Sequence, residues 1–204
     1  MNSDRQIDFY LDFTSPYAYL ASTQIEVLAA RFDYSVVWRP FLIGATFKLT
    51  GRKALIQHPL VWEYSLHDVQ RTARQLGQAF NFPVKLPILS VKAGRLFYYF
   101  QDRDANQIVA KKFASAAFLA FFVEQKDITD NRVLAEITAQ FGLTEEQLTE
   151  IVKSAEMKER FKVEVDAALE RKVFGAPMFI VNNEMFWGVD KLGQLANWLE
   201  TGGW

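Results

Sequence analysis

The sequence predicts an α/β fold. Strand periodicity is confined to the two ends of the chain and helical periodicity fills the middle. The first strand is followed at once by a helix and a second strand.

At the N-terminal end, Ile7, Phe9, Leu11 and Phe13 alternate with Asp8, Tyr10 and Asp12, the period of two that marks a strand. From Tyr17 the period changes. Tyr17, Leu20, Ala21, Ile25, Leu28, Ala29 and Phe32 follow helical spacing and predict a helix, with Pro16 in its first turn, where a missing N–H costs nothing. "YSVVWRP" (34–40) is a second strand stopped by Pro40, and the three elements make a right-handed βαβ unit. The middle is helical. A helix starts at Pro59 and stops at Gly77. "NQIVAKKFASAAFLAFFVEQ" (106–125) is apolar on more than one face, so it is a buried helix. Asp130 caps a helix that runs to Gly142. Thr144 and Gln147 form a capping box for the next, and a further helix covers 154–172. Strands then return. "PMFIV" (177–181) and "EMFWG" (184–188) flank Asn182 and Asn183, which suit a two-residue hairpin turn because Asn tolerates positive φ. Asp190 is placed to cap a last helix with Leu192, Leu195, Ala196 and Leu199 on its apolar face, ended by Gly202 and Gly203.

The order βαβ, helices, ββα is a thioredoxin-type layout. Residues 1–58 and 161–204 form the thioredoxin-like part, and 59–160 a large all-helical insertion.

Composition narrows the chemistry. Half of the 204 residues are hydrophobic, which suits a globular chain, and 18 are Phe, so the core or a ligand pocket is aromatic. The net charge of −1 comes without any basic block, which argues against a nucleic-acid partner. No Cys is present, which excludes disulfides, thiolate metal sites and a Cys nucleophile. The N-terminus has no apolar signal segment and the longest apolar run is too short to span a bilayer, so a cytoplasmic protein without a membrane partner is expected.

In a thioredoxin-type layout, the turn after the first strand is the usual active corner. Ser15 stands there, just before Pro16. Its hydroxyl is suited to donating a hydrogen bond to a thiolate or an oxyanion, and equally to capping the helix. A serine-hydrolase reading has no G-x-S-x-G and only two His to serve as base. His58 and His67 are nine positions apart and point opposite ways on one helix, so no metal site is expected. In "GAPMF" (175–179), a cis Pro177 would turn the N–H and C=O of Ala176 outward toward a peptide-like ligand; a trans Pro177 would merely open an edge strand. Arg39, Lys48, Arg52 and Lys53 gather in one stretch, as carboxylate holders or as a solvated loop. Asp190 suits either an ammonium ligand or a helix cap.

Taken together, "DFYLDFTSPYAYLA", "WRPFLIGATFK", "RKVFGAPMF" and "EMFWGVDKL" resemble the 2-hydroxychromene-2-carboxylate isomerases. These group with the kappa-class glutathione transferases in the DsbA-like branch of the thioredoxin fold. The resemblance runs nearly the whole chain and is weaker between about 50 and 110. It implies a glutathione cofactor, a small aromatic carboxylate substrate and a homodimer. Where thioredoxin-like oxidoreductases carry C-P-x-C, this chain has Ser15-Pro16-Tyr17-Ala18, so the sulfur would come from glutathione. The resemblance further implies that Ser15 holds the thiolate and Tyr17 lines the site. Pro177 would be cis, Ala176 would pair with the tripeptide backbone, and Val189 and Asp190 would meet its γ-glutamyl end. Lys48 and Arg39, with Tyr64, fall to the substrate side. The chain departs from the family at Arg52, where Asn is common, and at Leu89 and Ser90 in the loop after "FP". Arg52 is then a candidate for a glutathione carboxylate or for a more anionic substrate. A kappa-like transferase or peroxidase, and a non-catalytic glutathione- or peptide-binding protein, are the alternative readings.

Overall fold

The computed structural model describes residues 5–204. Its sheet has four strands: β1 (Gln6–Leu11), β2 (Ser35–Pro40), β3 (Met178–Val181) and β4 (Glu184–Trp187). They lie in the order β2-β1-β3-β4. β1 is parallel to β2 and antiparallel to β3, and β3 to β4 is a hairpin. Asn182 and Asn183 both take positive φ at its turn, as the dipeptide predicts. The α/β, thioredoxin-like layout with its helical insertion is therefore observed.

β1 is central, so its alternation does not separate core from solvent. Ile7 through Leu11 are all buried. Phe9 lies in register with Trp38 and Phe179 and packs against both rings at 5.2 Å. The polar residues of β1 are covered too. Asp8 takes Arg39 Nε at 2.7 Å and the Arg171 guanidinium, and Arg171 also donates to the Tyr10 hydroxyl at 3.0 Å. Burial raises the Asp8 carboxyl, but the two guanidiniums outweigh it and hold the group below its usual range.

The helix predicted from Tyr17 onward is two helices, α1 (Pro16–Ser22) and α2 (Ile25–Ala30). The break has a local cause. Ser22 and Thr23 turn their hydroxyls back onto the carbonyls of Tyr19 and Leu20, an alternative to continuing the ladder. After β2 come a short helix α3 (Phe47–Thr50) and the long α4 (Pro59–Gln75). Next is α5 (Val91–Gln101), which the sequence pattern does not reveal. Gly94, a residue that reads as a helix breaker, sits in its first turns. That glycine is required by packing, because a Cβ there would lie 2.3 Å from the Phe161 ring. α6 (Ile108–Phe122) is buried as expected. α7 (Asn131–Ala139) has Asp130 as its cap, and α8 (Glu145–Lys153) has the Thr144–Gln147 capping box. α9 (Ala155–Glu170) packs on α5 and β2, and α10 (Leu192–Thr201) closes the chain. One continuous apolar core runs from the sheet into the helical block. Among the described residues, no helix is long and apolar enough to cross a membrane.

Candidate active site

The sequence places Ser15 directly after the Asp12–Thr14 turn that ends β1, and the fold brings the Gly175–Pro177 loop across from it. The Ser15 hydroxyl accepts from the Ala18 N–H at 3.2 Å, so it is the N-cap of α1. It also donates to the Ala176 carbonyl at 2.9 Å. The expected cap is therefore observed, and the hydroxyl proton is directed at a backbone carbonyl. The Ala176–Pro177 bond is cis. The expectation that Ala176 turns both backbone groups outward is corrected in one respect: its carbonyl is held by Ser15. Its N–H has no hydrogen-bond partner among the described residues.

Two further segments converge here. The Pro177 carbonyl accepts from Gly188 N–H at 3.0 Å, which anchors the turn Val189–Lys191 against α1. Gly188 has φ 115°, and a Cβ on it would lie 2.3 Å from Asp190 Oδ1, so only glycine fits. Asp190 does not cap the last helix. α10 starts after Lys191 with no side-chain cap, and the Asp190 carboxylate stands exposed with Lys191 Nζ 3.6 Å away. On the other side runs the arm 43–53. Thr46 is buried and its hydroxyl reaches the carbonyls of Ile43 and Phe174. Arg52 lies over the Phe174 and Trp187 rings, at 5.3 and 4.8 Å from their centroids, as a cation–π pair. Gly175 allows this, since a Cβ would meet Trp187 Nε1 at 2.4 Å. Lys48 is exposed on α3 and makes no ion pair among the described residues.

Asp12 joins these parts and was not marked by the sequence pattern as more than a strand residue. It is 2% exposed. Oδ1 accepts from the Thr14 N–H and hydroxyl and from Ser90 Oγ, and Oδ2 from the Ile43 N–H at 2.8 Å. Burial raises its carboxyl above the usual range, against the pull of those four donors. Ser90 thus serves the scaffold, while Leu89 beside it is exposed.

Tyr17 faces α4, where its hydroxyl donates to Asp68 Oδ2 at 2.7 Å. Burial first, and then Asp68, push the Tyr17 phenol far above its ordinary value. Tyr64 meets Oδ1 of the same carboxylate at 3.3 Å, beside the Arg71 guanidinium. Tyr17 and Tyr64 are therefore brought together. Arg39 is not part of this assembly. It is committed to Asp8, with Glu164 of α9 3.9 Å away, so its assignment to a substrate carboxylate is withdrawn. The sequence pattern also missed Asp68, Phe174 and Trp187. Asp68 is 51 positions from Tyr17 and carries no local signal, whereas Phe174 borders "GAPMF" and Trp187 lies within "EMFWG".

Fold and site define a thioredoxin-type protein in which a serine, not a cysteine, caps the active-corner helix opposite a cis-proline loop. The chain belongs to the DSBA-like thioredoxin domain family, whose model matches residues 6–200. It is 28% identical to a 2-hydroxychromene-2-carboxylate isomerase of Sphingobium xenophagum over 96% of this chain and 98% of that one. The solved structure of a 2-hydroxychromene-2-carboxylate isomerase superposes with a TM-score of 0.86 at 25% identity, covering 96% of this chain and 94% of that one. A kappa-class glutathione transferase of Caenorhabditis elegans, kappa 2, is 23% identical over 98% of this chain and 93% of its own. The resemblance read from the four motifs is thus borne out, and these relatives are isomerases and a transferase.

Proposed function

We propose that the protein is a glutathione-dependent isomerase that interconverts 2-hydroxychromene-2-carboxylate and its ring-opened trans-o-hydroxybenzylidenepyruvate form. The observation that carries this reading is the Ser15–Ala176 hydrogen bond. It sets a hydroxyl donor and a cis-proline loop face to face in a chain without cysteine.

The residues fit a γ-glutamyl tripeptide because the corner is rimmed by polar groups with little internal use. The unpartnered Ala176 N–H suits the peptide backbone. Val189 and the exposed Asp190 suit the γ-glutamyl end, with Asp190 taking its ammonium. Arg52, held over two rings, suits a carboxylate. The corner would hold glutathione, which would supply a nucleophilic sulfur able to add reversibly to a conjugated double bond. Ser15 would turn its hydroxyl proton to that sulfur, since a charged acceptor outcompetes the Ala176 carbonyl. The N-terminal end of α1 would add to this stabilisation through its first-turn N–H groups. Lys48 takes the substrate carboxylate, and Tyr17 and Tyr64 line the aromatic side. A kappa-like transferase would use the same residues and consume the tripeptide.

The test is the conversion of 2-hydroxychromene-2-carboxylate, followed by absorbance with and without glutathione, with total glutathione measured before and after. Turnover that requires glutathione and leaves its amount unchanged is expected. Stoichiometric loss would select the transferase, and turnover indifferent to glutathione would remove it from the reaction.

A further inference from the structure

We propose that Asp68 is a positioning residue that holds Tyr17 as the proton acceptor for the phenolic hydroxyl of the ring-opened substrate. This rests on the isomerase reading above.

The geometry around Tyr17 points to it. Tyr17 lies in the first turn of α1, two positions from Ser15, and is half-buried with its hydroxyl toward α4. That hydroxyl has one proton, and it is given to Asp68 Oδ2 at 2.7 Å. Toward any other partner, Tyr17 Oη offers only lone pairs. Asp68 is itself fixed. Its other oxygen takes the Tyr64 hydroxyl at 3.3 Å and the Arg71 guanidinium, so the carboxylate cannot swing away from Tyr17 without losing both. The Tyr17 phenol is also held neutral, so it relays a proton and does not act as a standing phenolate. Ser15 is unsuited to this task, because its proton goes to a backbone carbonyl that cannot take it up, and its oxygen already accepts the Ala18 N–H.

The substrate needs such a group. A 2-hydroxychromene-2-carboxylate is a cyclic hemiketal whose C2 carries both a hydroxyl and the ring oxygen. Closing the ring joins the phenol oxygen to C2. The π pair of the C2 carbonyl moves to its oxygen, which takes a proton from water. The phenolic proton passes to Tyr17 Oη as the proton already on Tyr17 passes to Asp68 Oδ2. Asp68 then returns one proton to solvent, which its partly exposed side chain reaches. One proton enters from water and one leaves, and nothing is oxidised or reduced. Ring opening is the reverse.

The test compares wild type with Tyr17→Phe, Asp68→Asn and Asp68→Glu. Asp68→Asn is expected to lower kcat by about 10²-fold, in the range of general acid–base catalysis, with the KM for glutathione unchanged. Asp68→Glu should recover part of the loss. A separate arm measures calorimetric binding of 2-hydroxycinnamate and 2-methoxycinnamate. Wild type should prefer the hydroxyl compound about tenfold, one hydrogen bond's worth, and Tyr17→Phe should bind both alike. Equal binding of the two compounds by wild type overturns the inference. So does an Asp68→Asn defect that raises the glutathione KM in proportion, which marks a purely structural role. A hydroxyl preference that persists in a protein that does not bind glutathione supports the Tyr17 acceptor and overturns the isomerase reading instead.

Discussion

Ser15 is a helix cap and a candidate ligand contact through the same oxygen, and the two roles use different parts of it. The lone pair that receives the Ala18 N–H maintains α1, while the proton on Ala176 is the part available to a sulfur anion. Ser15→Ala removes both. It should cost about 1 kcal/mol of stability, as for a lost cap. It should lower kcat by about 10²-fold, as for one lost donor to a developing anion. A thermal melt together with initial rates separates the two effects, and a melt shift without a rate change would leave Ser15 as a cap only. Arg52 and Arg39 make the opposite pair. Both are arginines in one basic stretch, but Arg39 is spent on Asp8 and Arg52 rests on rings without a carboxylate. Arg52→Ala should therefore weaken calorimetric glutathione binding by about tenfold, the loss of one exposed charge-assisted contact. Arg39→Ala should act on folding and not on affinity.

Among the elements, those with a local signature were legible in the sequence. The two capping sites at Asp130 and Thr144, the Asn182–Asn183 turn and the strand before Pro40 each rest on chemistry within four residues. What escaped depends on partners distant in sequence. α5 packs between α6 and α9, and its Gly94 looks like a breaker until Phe161 is placed against it. Asp12 looks like a strand residue until Ile43 and Ser90 close on it. The α5–α9 contact yields a prediction at this scale. Gly94→Ala gains about 1 kcal/mol of helix propensity. It also drives a methyl into the tip of a ring that is 3% exposed, at about 2–3 kcal/mol. A net loss of roughly 1–2 kcal/mol is expected from urea unfolding. The double variant Gly94→Ala, Phe161→Leu should lose less than the sum of its parts. A stabilised single variant would mean that the ring yields freely.

For the molecule as a whole, the half-buried ion cluster around Asp8 couples the sheet to the helical layer. Asp8 of β1 binds Arg39 of β2 and Arg171, the residue that ends α9. The carboxyl of Asp8 is held lower in the folded chain than in the unfolded one. Its contribution is therefore present in full above the unfolded value of about 4 and is lost as pH falls through the folded value. Asp8→Asn should destabilise the protein by about 2 kcal/mol at pH 7, discounted for the partial exposure of both arginines. The gap between variant and wild type should narrow in urea melts taken below about pH 4. A gap that stays constant across that range would mean that Asp8 stabilises by packing and not by charge.

The bond from Ser15 to Ala176 spans 161 positions of sequence, and the central strand beneath it pairs with β3 over a similar separation. A ribosome delivers the chain from the N-terminus at about 5–20 residues per second. The serine and its helix are made early. Their counterpart on the cis-proline loop emerges only after the whole helical block has been synthesised. Until then β1 has one edge satisfied by β2 and the other bare. The Ser15–Ala176 contact thus forms only after the helical block has been made, and a chain cut short anywhere before residue 176 carries the serine without the loop it faces.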